Sequence, residues 1–174
     1  FIPIAEASDR IVSIGWWVME QACQHLGVWR SHPEKQHLWI AVNVSAKQLR
    51  EARFVTELKR LLEATGAPPS KLCIEITETV LLEGQGFGLA QTFADIRALD
   101  IRLSLDDFGT GYSSLSYLKS LPLTKVKIDQ TFVRSLLESP KDQAITEAVL
   151  ALAVKLGLSV VAEGVETQGQ FELL

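Results

Sequence analysis

The chain has 174 residues, 47% of them apolar and 22% charged, which is globular composition with length for one sizeable core. A net charge of −4 argues against a general nucleic-acid surface. Two cysteines, Cys23 and Cys73, offer neither a disulfide framework nor metal-ligand spacing and point to a reduced compartment. No apolar run approaches the roughly 18 residues of a membrane span, no signal peptide is visible, and a chain that opens on Phe1 and stops at Leu174 in mid-pattern reads as a piece of a longer polypeptide.

Residues 1–7, with Pro3, read as a loop. Asp9 can cap a helix whose stripe is Ile11, Ile14, Val18 and Ala22. Trp16, Trp17 and Trp29 read as packing residues, 31–36 as a polar loop, and His25, His32 and His37 as surface or packing residues, since none has a Cys or carboxylate at ligand spacing. The first strand is 38–45, with Val42 and Val44 on one face and Ala41, Asn43 and Ser45 on the other. A helix follows from about Phe54 with Leu58, Leu61 and Leu62, and Gly66-Ala67-Pro68-Pro69 ends it.

The second strand is 72–78, with Leu72, Ile74 and Ile76 opposite Cys73, Glu75 and Thr77. A loop with Gly84, Gly86 and Gly88 leads to a helix through Leu89, Phe93, Ile96 and Leu99. The third strand, 101–107, ends in Asp106-Asp107, and Phe108-Gly109-Thr110-Gly111 and a helix capped by Ser113 follow. Inside a regular strand adjacent carboxylates point apart; at a strand end, where the backbone turns, they can share a target. The fourth strand is 125–129, with Val126 and Ile128 opposite Lys127 and Asp129. A long helix over 142–156 carries Ile145, Ala148, Val149, Leu152 and Leu156, and Gly157 closes it. The fifth strand is 158–163, and Thr167 caps a last helix.

Strands alternating with helices imply right-handed βαβ units and a parallel sheet. Asn43, Glu75, Asp106 with Asp107, Lys127 with Asp129, and Glu163 all lie toward the C-terminal ends of successive strands. In most of these strands the branched apolar residues take the opposite face. That pattern predicts an α/β fold of the barrel kind, a (β/α)8 TIM-like barrel, whose polar strand ends converge at one mouth. Five strands make it an incomplete one. Carboxylates and an amide gathered there repel one another without cations, and such oxygen donors suit Mg²⁺ or Mn²⁺ rather than zinc. Two ions can clamp a phosphodiester around a bridging water. Lys127 can steady the attacking water or the phosphoryl charge, and Glu163 can bind metal or accept a proton. A barrel aldolase using Lys127 as a Schiff-base nucleophile is disfavoured, because acidic neighbours keep that ammonium charged.

Asn43-Val44-Ser45, Glu75-Ile76-Thr77-Glu78, Asp106-Asp107-Phe108-Gly109-Thr110-Gly111, Lys127-Ile128-Asp129 and Ala162-Glu163-Gly164-Val165-Glu166 occur in this order. Together they resemble the EAL-domain family of cyclic di-GMP phosphodiesterases, and Phe1-Ile2-Pro3 is similar to the segment after that family's name-giving motif. The resemblance covers essentially the whole chain, as one domain over 1–174 lacking its first and last parts. It implies a modified barrel and hydrolysis of cyclic di-GMP to linear pGpG with Mg²⁺ or Mn²⁺, two ions being expected, in bacterial second-messenger signalling. By the match, Asn43, Glu75, Asp106 and Asp107 are the metal ligands, and Lys127 and Glu163 act near the water and metals. Glu78 holds the loop 107–114, and Asp129 and Glu166 support the site.

Glu-Ala-Leu occurs nowhere in the chain. In the family that Glu binds metal and an Arg shortly after it helps to bind substrate, so residues 1–174 alone are expected to be inactive. The alternative is a catalytically inactive receptor module that binds cyclic di-GMP; the intact carboxylates favour the enzyme. The expected partner is cyclic di-GMP, with no nucleic acid polymer and no membrane contact by this domain. A homodimer and sensory or GGDEF-type domains are compatible with the parent protein, which can be membrane-anchored with this domain in the cytoplasm.

Overall fold

Apolar alternation turns into strand at all five expected places. The strands are β1 (Ile40–Asn43), β2 (Leu72–Thr77), β3 (Arg102–Phe108), β4 (Lys125–Ile128) and β5 (Ser159–Ala162). The structure, a computed structural model, describes residues 1–83, 89–109 and 120–174. The expected glycine loop around 84–88 and the helix start at Ser113 lie outside the described residues. Two compact units are distinguished: Phe1–Ile76 with Val80–Leu103, and Thr77–Thr79 with Ser104–Leu174.

In the first unit β1 and β2 are parallel and in register from Ile40 opposite Leu72 to Asn43 opposite Glu75. Val42 and Val44 are buried, as are Leu72, Cys73, Ile74 and Ile76, so β2 is covered on both faces. Among the described residues, helices surround these strands. These helices are α1 (Ile2–Ala7), α2 (Arg10–Trp29), α3 (Ala46–Leu49), α4 (Phe54–Thr65) and, after α5 (Glu78–Glu83), α6 (Leu89–Ala98). Phe54, Leu58 and Leu62 of α4 and Leu89, Phe93 and Ile96 of α6 are buried in the expected rows. Each such side chain contributes roughly 1.5–3 kcal/mol by leaving water.

Four expectations are corrected here. Residues 1–7 are not a loop: Pro3 sits in the first turn of α1, where its missing N–H has no intrahelical partner to lose. In α2 the buried row is Ile11, Gly15, Met19, Ala22, Cys23 and Leu26, while Val18 is exposed. Gly15 decides this rotation, since a Cβ there would stand 2.2 Å from the side chain of Gln48 on α3, a contact only glycine permits. Trp17 is exposed rather than packed; Trp16 donates to Glu51 and lies against Phe54. The three histidines are exposed. Asp9 stands at the N-cap of α2 but caps nothing with its side chain, which pairs with Lys47 instead.

In the second unit β3, β4 and β5 run parallel in chain order. The helices are α7 (Gln130–Arg134), α8 (Pro140–Lys155) and α9 (Gln168–Leu173). Helix α8 starts at a Ser139 cap and buries Thr146, Val149 and Ala153, so Ile145 and Leu156 of the expected stripe are outward. Its apolar residues occupy several faces, and packing rather than period selects among them. Thr167 caps α9 as expected, in a reciprocal capping box with Gln170. Among the described residues no helix is long and apolar enough to cross a membrane.

Candidate active site

The second unit gathers its charges where β3 loses its regular pairing. Ser104 and Leu105 pair with Lys125 and Val126, after which the register shifts and Phe108 pairs with Ile128. In the shifted stretch Asp107 adopts φ 53°, a left-handed conformation that aspartate tolerates better than most residues. Its N–H donates to Oδ1 of Asp106 at 3.0 Å. The backbone thus turns between the two residues, and both can face one target. Carboxylate oxygens of Asp106, Asp107 and Glu163 all lie within 4.8 Å of one another.

Lys127 projects from β4 into this group. Its Nζ donates to Oδ1 of Asp106 at 2.9 Å and to Oε1 of Glu163 at 2.6 Å. The Lys127 side chain is 14% exposed and that of Glu163 about a third exposed, so the cluster opens to solvent on the Glu163 side. Glu163 follows β5 directly, and its N–H donates to the carbonyl of Ile128 at 3.1 Å. Gly164 then turns with φ 71°, and a Cβ there would stand 2.9 Å from Cβ of Gln130. Only glycine satisfies both conditions.

Glu78, buried at the start of α5, accepts from the N–H of Gly109 at 3.0 Å, a contact to the loop that the resemblance assigns it to hold. Asp129 ends β4 and caps α7, accepting from the N–H of Thr131 at 2.8 Å and from its hydroxyl. Burial opposes ionisation of Asp129, but these bonds and one from Asp107 hold its carboxyl below its ordinary value. Asp107 moves the other way. Burial, then the charges of Asp106, Asp129 and Glu163, push its carboxyl up. A divalent cation among these oxygens would reverse that bias. Glu166 is exposed, and its N–H donates to Oε1 of Gln170 at 2.8 Å.

In the first unit the β1–β2 register sets Asn43 beside Glu75, with Glu75 buried and Asn43 exposed. The N–H of Val44 continues the pairing to the carbonyl of Glu75 at 2.9 Å. The expected site residues thus fall into two groups, Asn43 with Glu75 in one unit and Glu78, Asp106, Asp107, Lys127, Asp129, Glu163 and Glu166 in the other. Thr131 and Gln170 were not singled out from the sequence. The capping spacing Thr167-x-x-Gln170 was the available signal for the second.

The donor set fits a hard divalent cation. Its oxygens are carboxylates, no thiolate or imidazole belongs to the cluster, and three of them lie close enough for one coordination sphere.

The EAL domain family model matches residues 1–174. Across its whole length the chain is 41% identical to the bifunctional diguanylate cyclase/cyclic di-GMP phosphodiesterase MucR of Pseudomonas aeruginosa, covering 25% of that protein. It is 39% identical to the cyclic di-GMP phosphodiesterase PA2567 of the same organism, covering 29% of it. The chain therefore spans less than a third of the length of these curated relatives. Among solved structures, a PaMucR phosphodiesterase complex with c-di-GMP superposes with TM-score 0.91 at 39% identity, over 100% of this chain and 70% of that one. The EAL domain of Mycobacterium smegmatis DcpA does so with TM-score 0.82 at 39% identity, over 92% of this chain and 71% of that one. The fold class is accordingly α/β of the TIM-like barrel kind, represented here by parallel strands β1 to β5.

Proposed function

The chain belongs to the EAL domain family, and on that premise we propose that it supplies the catalytic domain of a divalent-metal-dependent phosphodiesterase that hydrolyses cyclic di-GMP to linear pGpG. The observation that carries this reading is the Lys127 ammonium held between Asp106 and Glu163 beside the Asp107 carboxylate. A simple ion pair takes one carboxylate; here the ammonium bridges two, and the left-handed Asp107 brings a third within 4.8 Å.

Asp106 and Asp107 offer oxygens to the cation, and the motif positions assign Asn43 and Glu75 to the same ligand set. We take the ion to be Mg²⁺ or Mn²⁺, two being bound in the active form. A cation held by these residues would neutralise the carboxylates and supply Lewis-acid activation of a phosphoryl oxygen and of water. Lys127 spends two of its N–H groups on carboxylates that keep it charged and aimed. Aimed this way, the ammonium is placed to steady the attacking water or the charge developing on the phosphoryl group. Glu163, at the solvent side, is placed to take the proton of that water. In the net reaction one water adds to phosphorus, one ester P–O bond breaks, and the departing oxygen receives a proton. Glu78 and Asp129 hold the loops that present these groups, and Glu166 continues the turn after Glu163.

Lys127→Ala in the full-length protein tests the assignment. Losing a preorganised donor of this kind lowers kcat by about 100- to 1,000-fold. KM for cyclic di-GMP is expected to change far less. A variant with wild-type kcat would remove Lys127 from the mechanism.

A further inference from the structure

We propose that Gln170 is a positioning residue for the Lys127–Glu163 pair, its buried side-chain amide clamping the turn that follows Glu163 onto the helix that follows Asp129. The inference rests on the functional reading above and assigns a role to a residue outside the motifs that identify the family.

Gln170 lies on α9 and is 6% exposed. Its Oε1 accepts two backbone N–H groups, from Glu166 at 2.8 Å and from Thr167 at 3.0 Å. Its Nε2 donates to the carbonyl of Val133 at 3.1 Å, a contact fully inside the unit. Capping of α9 explains only the first half of this, because a capping box is completed by Glu as readily as by Gln. The bond to Val133 needs a donor, and a carboxylate has none at neutral pH. It also joins different parts of the site. Val133 belongs to α7, whose N-cap is Asp129, while 166–167 end the turn that begins at Glu163.

Two further contacts bring the turn against α7 and the start of α9 against the residues that follow α7. Gly164 approaches Gln130 so closely that a Cβ would come within 2.9 Å of its Cβ, and Gly169 lies where a Cβ would meet Leu137 at 3.0 Å. The amide is the polar link in this contact. The Glu163 it helps to place is also fixed by its N–H bond to Ile128 at the end of β4 and by its contact with Lys127.

Gln170→Glu isolates the clamp from the cap. It keeps the Oε1 that accepts the N–H groups of Glu166 and Thr167 and replaces the Nε2 donor to Val133 with an oxygen. The full-length protein is compared with this variant by thermal melting, by steady-state hydrolysis of cyclic di-GMP in saturating Mn²⁺, and by calorimetric titration with Mn²⁺ alone. The expected result is a melting temperature close to wild type with kcat, Mn²⁺ affinity or both lowered about 10- to 100-fold, the usual effect of removing a residue that orients a metal site's ligands. Wild-type kcat and wild-type Mn²⁺ affinity together would overturn the proposal, leaving Gln170 as a helix cap. So would losses matched by a collapse of the melting temperature, which plain destabilisation explains. Should the wild-type protein not turn over cyclic di-GMP at all, the functional reading fails, and the Mn²⁺ titration still decides the clamp.

Discussion

Gly164→Ala and Gly157→Ala make a matched pair. Both glycines have nearly the same left-handed backbone, φ 71° and φ 69°. Any L-residue held there costs about 1–2 kcal/mol. For a domain of this size that lowers the melting temperature by roughly 2–8 °C. The surroundings differ. At Gly157 an added Cβ meets nothing within 4 Å, whereas at Gly164 it stands 2.9 Å from Cβ of Gln130. Relief at Gly164 takes a shift of a few tenths of an ångström in a turn whose preceding residue, Glu163, holds Lys127 at 2.6 Å. Since a misplacement of about 1 Å can cost about 100-fold in rate, a shift of this size is worth about 10-fold. The assay is kcat for cyclic di-GMP in the full-length protein, with melting curves for both variants. Gly157→Ala is expected to melt lower and keep wild-type kcat, and Gly164→Ala to lose both. Equal kcat in the two variants would refute the claim that this turn sets the position of Glu163.

Glu78→Ala removes the acceptor of the Gly109 N–H and is expected to lower kcat about 10- to 100-fold, while Glu78→Gln, which keeps an oxygen there, recovers most of it; equal activity in the two variants would count against the loop-holding role. Burial pushes the Cys23 thiol up from 9.0 to about 11. The neutral thiol is therefore favoured in the folded state, a stabilisation fully present below pH 9.0 and lost as pH rises toward 11. With Cys73 also buried, neither thiol should react with a disulfide reagent at pH 8 until denaturant is added, and prompt labelling of the native protein would contradict this burial.

What the sequence disclosed and what it withheld follow from the range of the forces involved. Strands were legible because alternation such as Val126 against Lys127 is set by two neighbouring faces. Residues at their C-terminal ends could therefore be ordered before any coordinates. The helices of four and five residues that follow β1 and β4 were not legible. Ala46–Leu49 and Gln130–Arg134 are shorter than the window in which a helical period shows, although Ser45-x-x-Gln48 carried a readable capping box. The inward face of α2 was missed because it depends on a close approach of Gly15 to Gln48 from a distant part of the chain. At the site, the residue types and their strand-end positions were legible for Asp106, Asp107, Lys127 and Glu163. The register shift that turns Asp107 toward Asp106 was not, and neither was the bond from Gln170 to Val133, since both arise from long-range pairing.

The most direct test of the central claim is product analysis with the full-length protein, cyclic di-GMP and Mn²⁺, for wild type and Asp106→Ala. Asp106 is buried, contacts Lys127 at 2.9 Å and shares the cluster with Asp107 and Glu163. Its removal takes away a proposed metal ligand and one of the two carboxylates that hold Lys127. The account predicts linear pGpG from the wild type, abolished by chelation, and none from the variant at any Mn²⁺ concentration. Linear product from Asp106→Ala at the wild-type rate would contradict it.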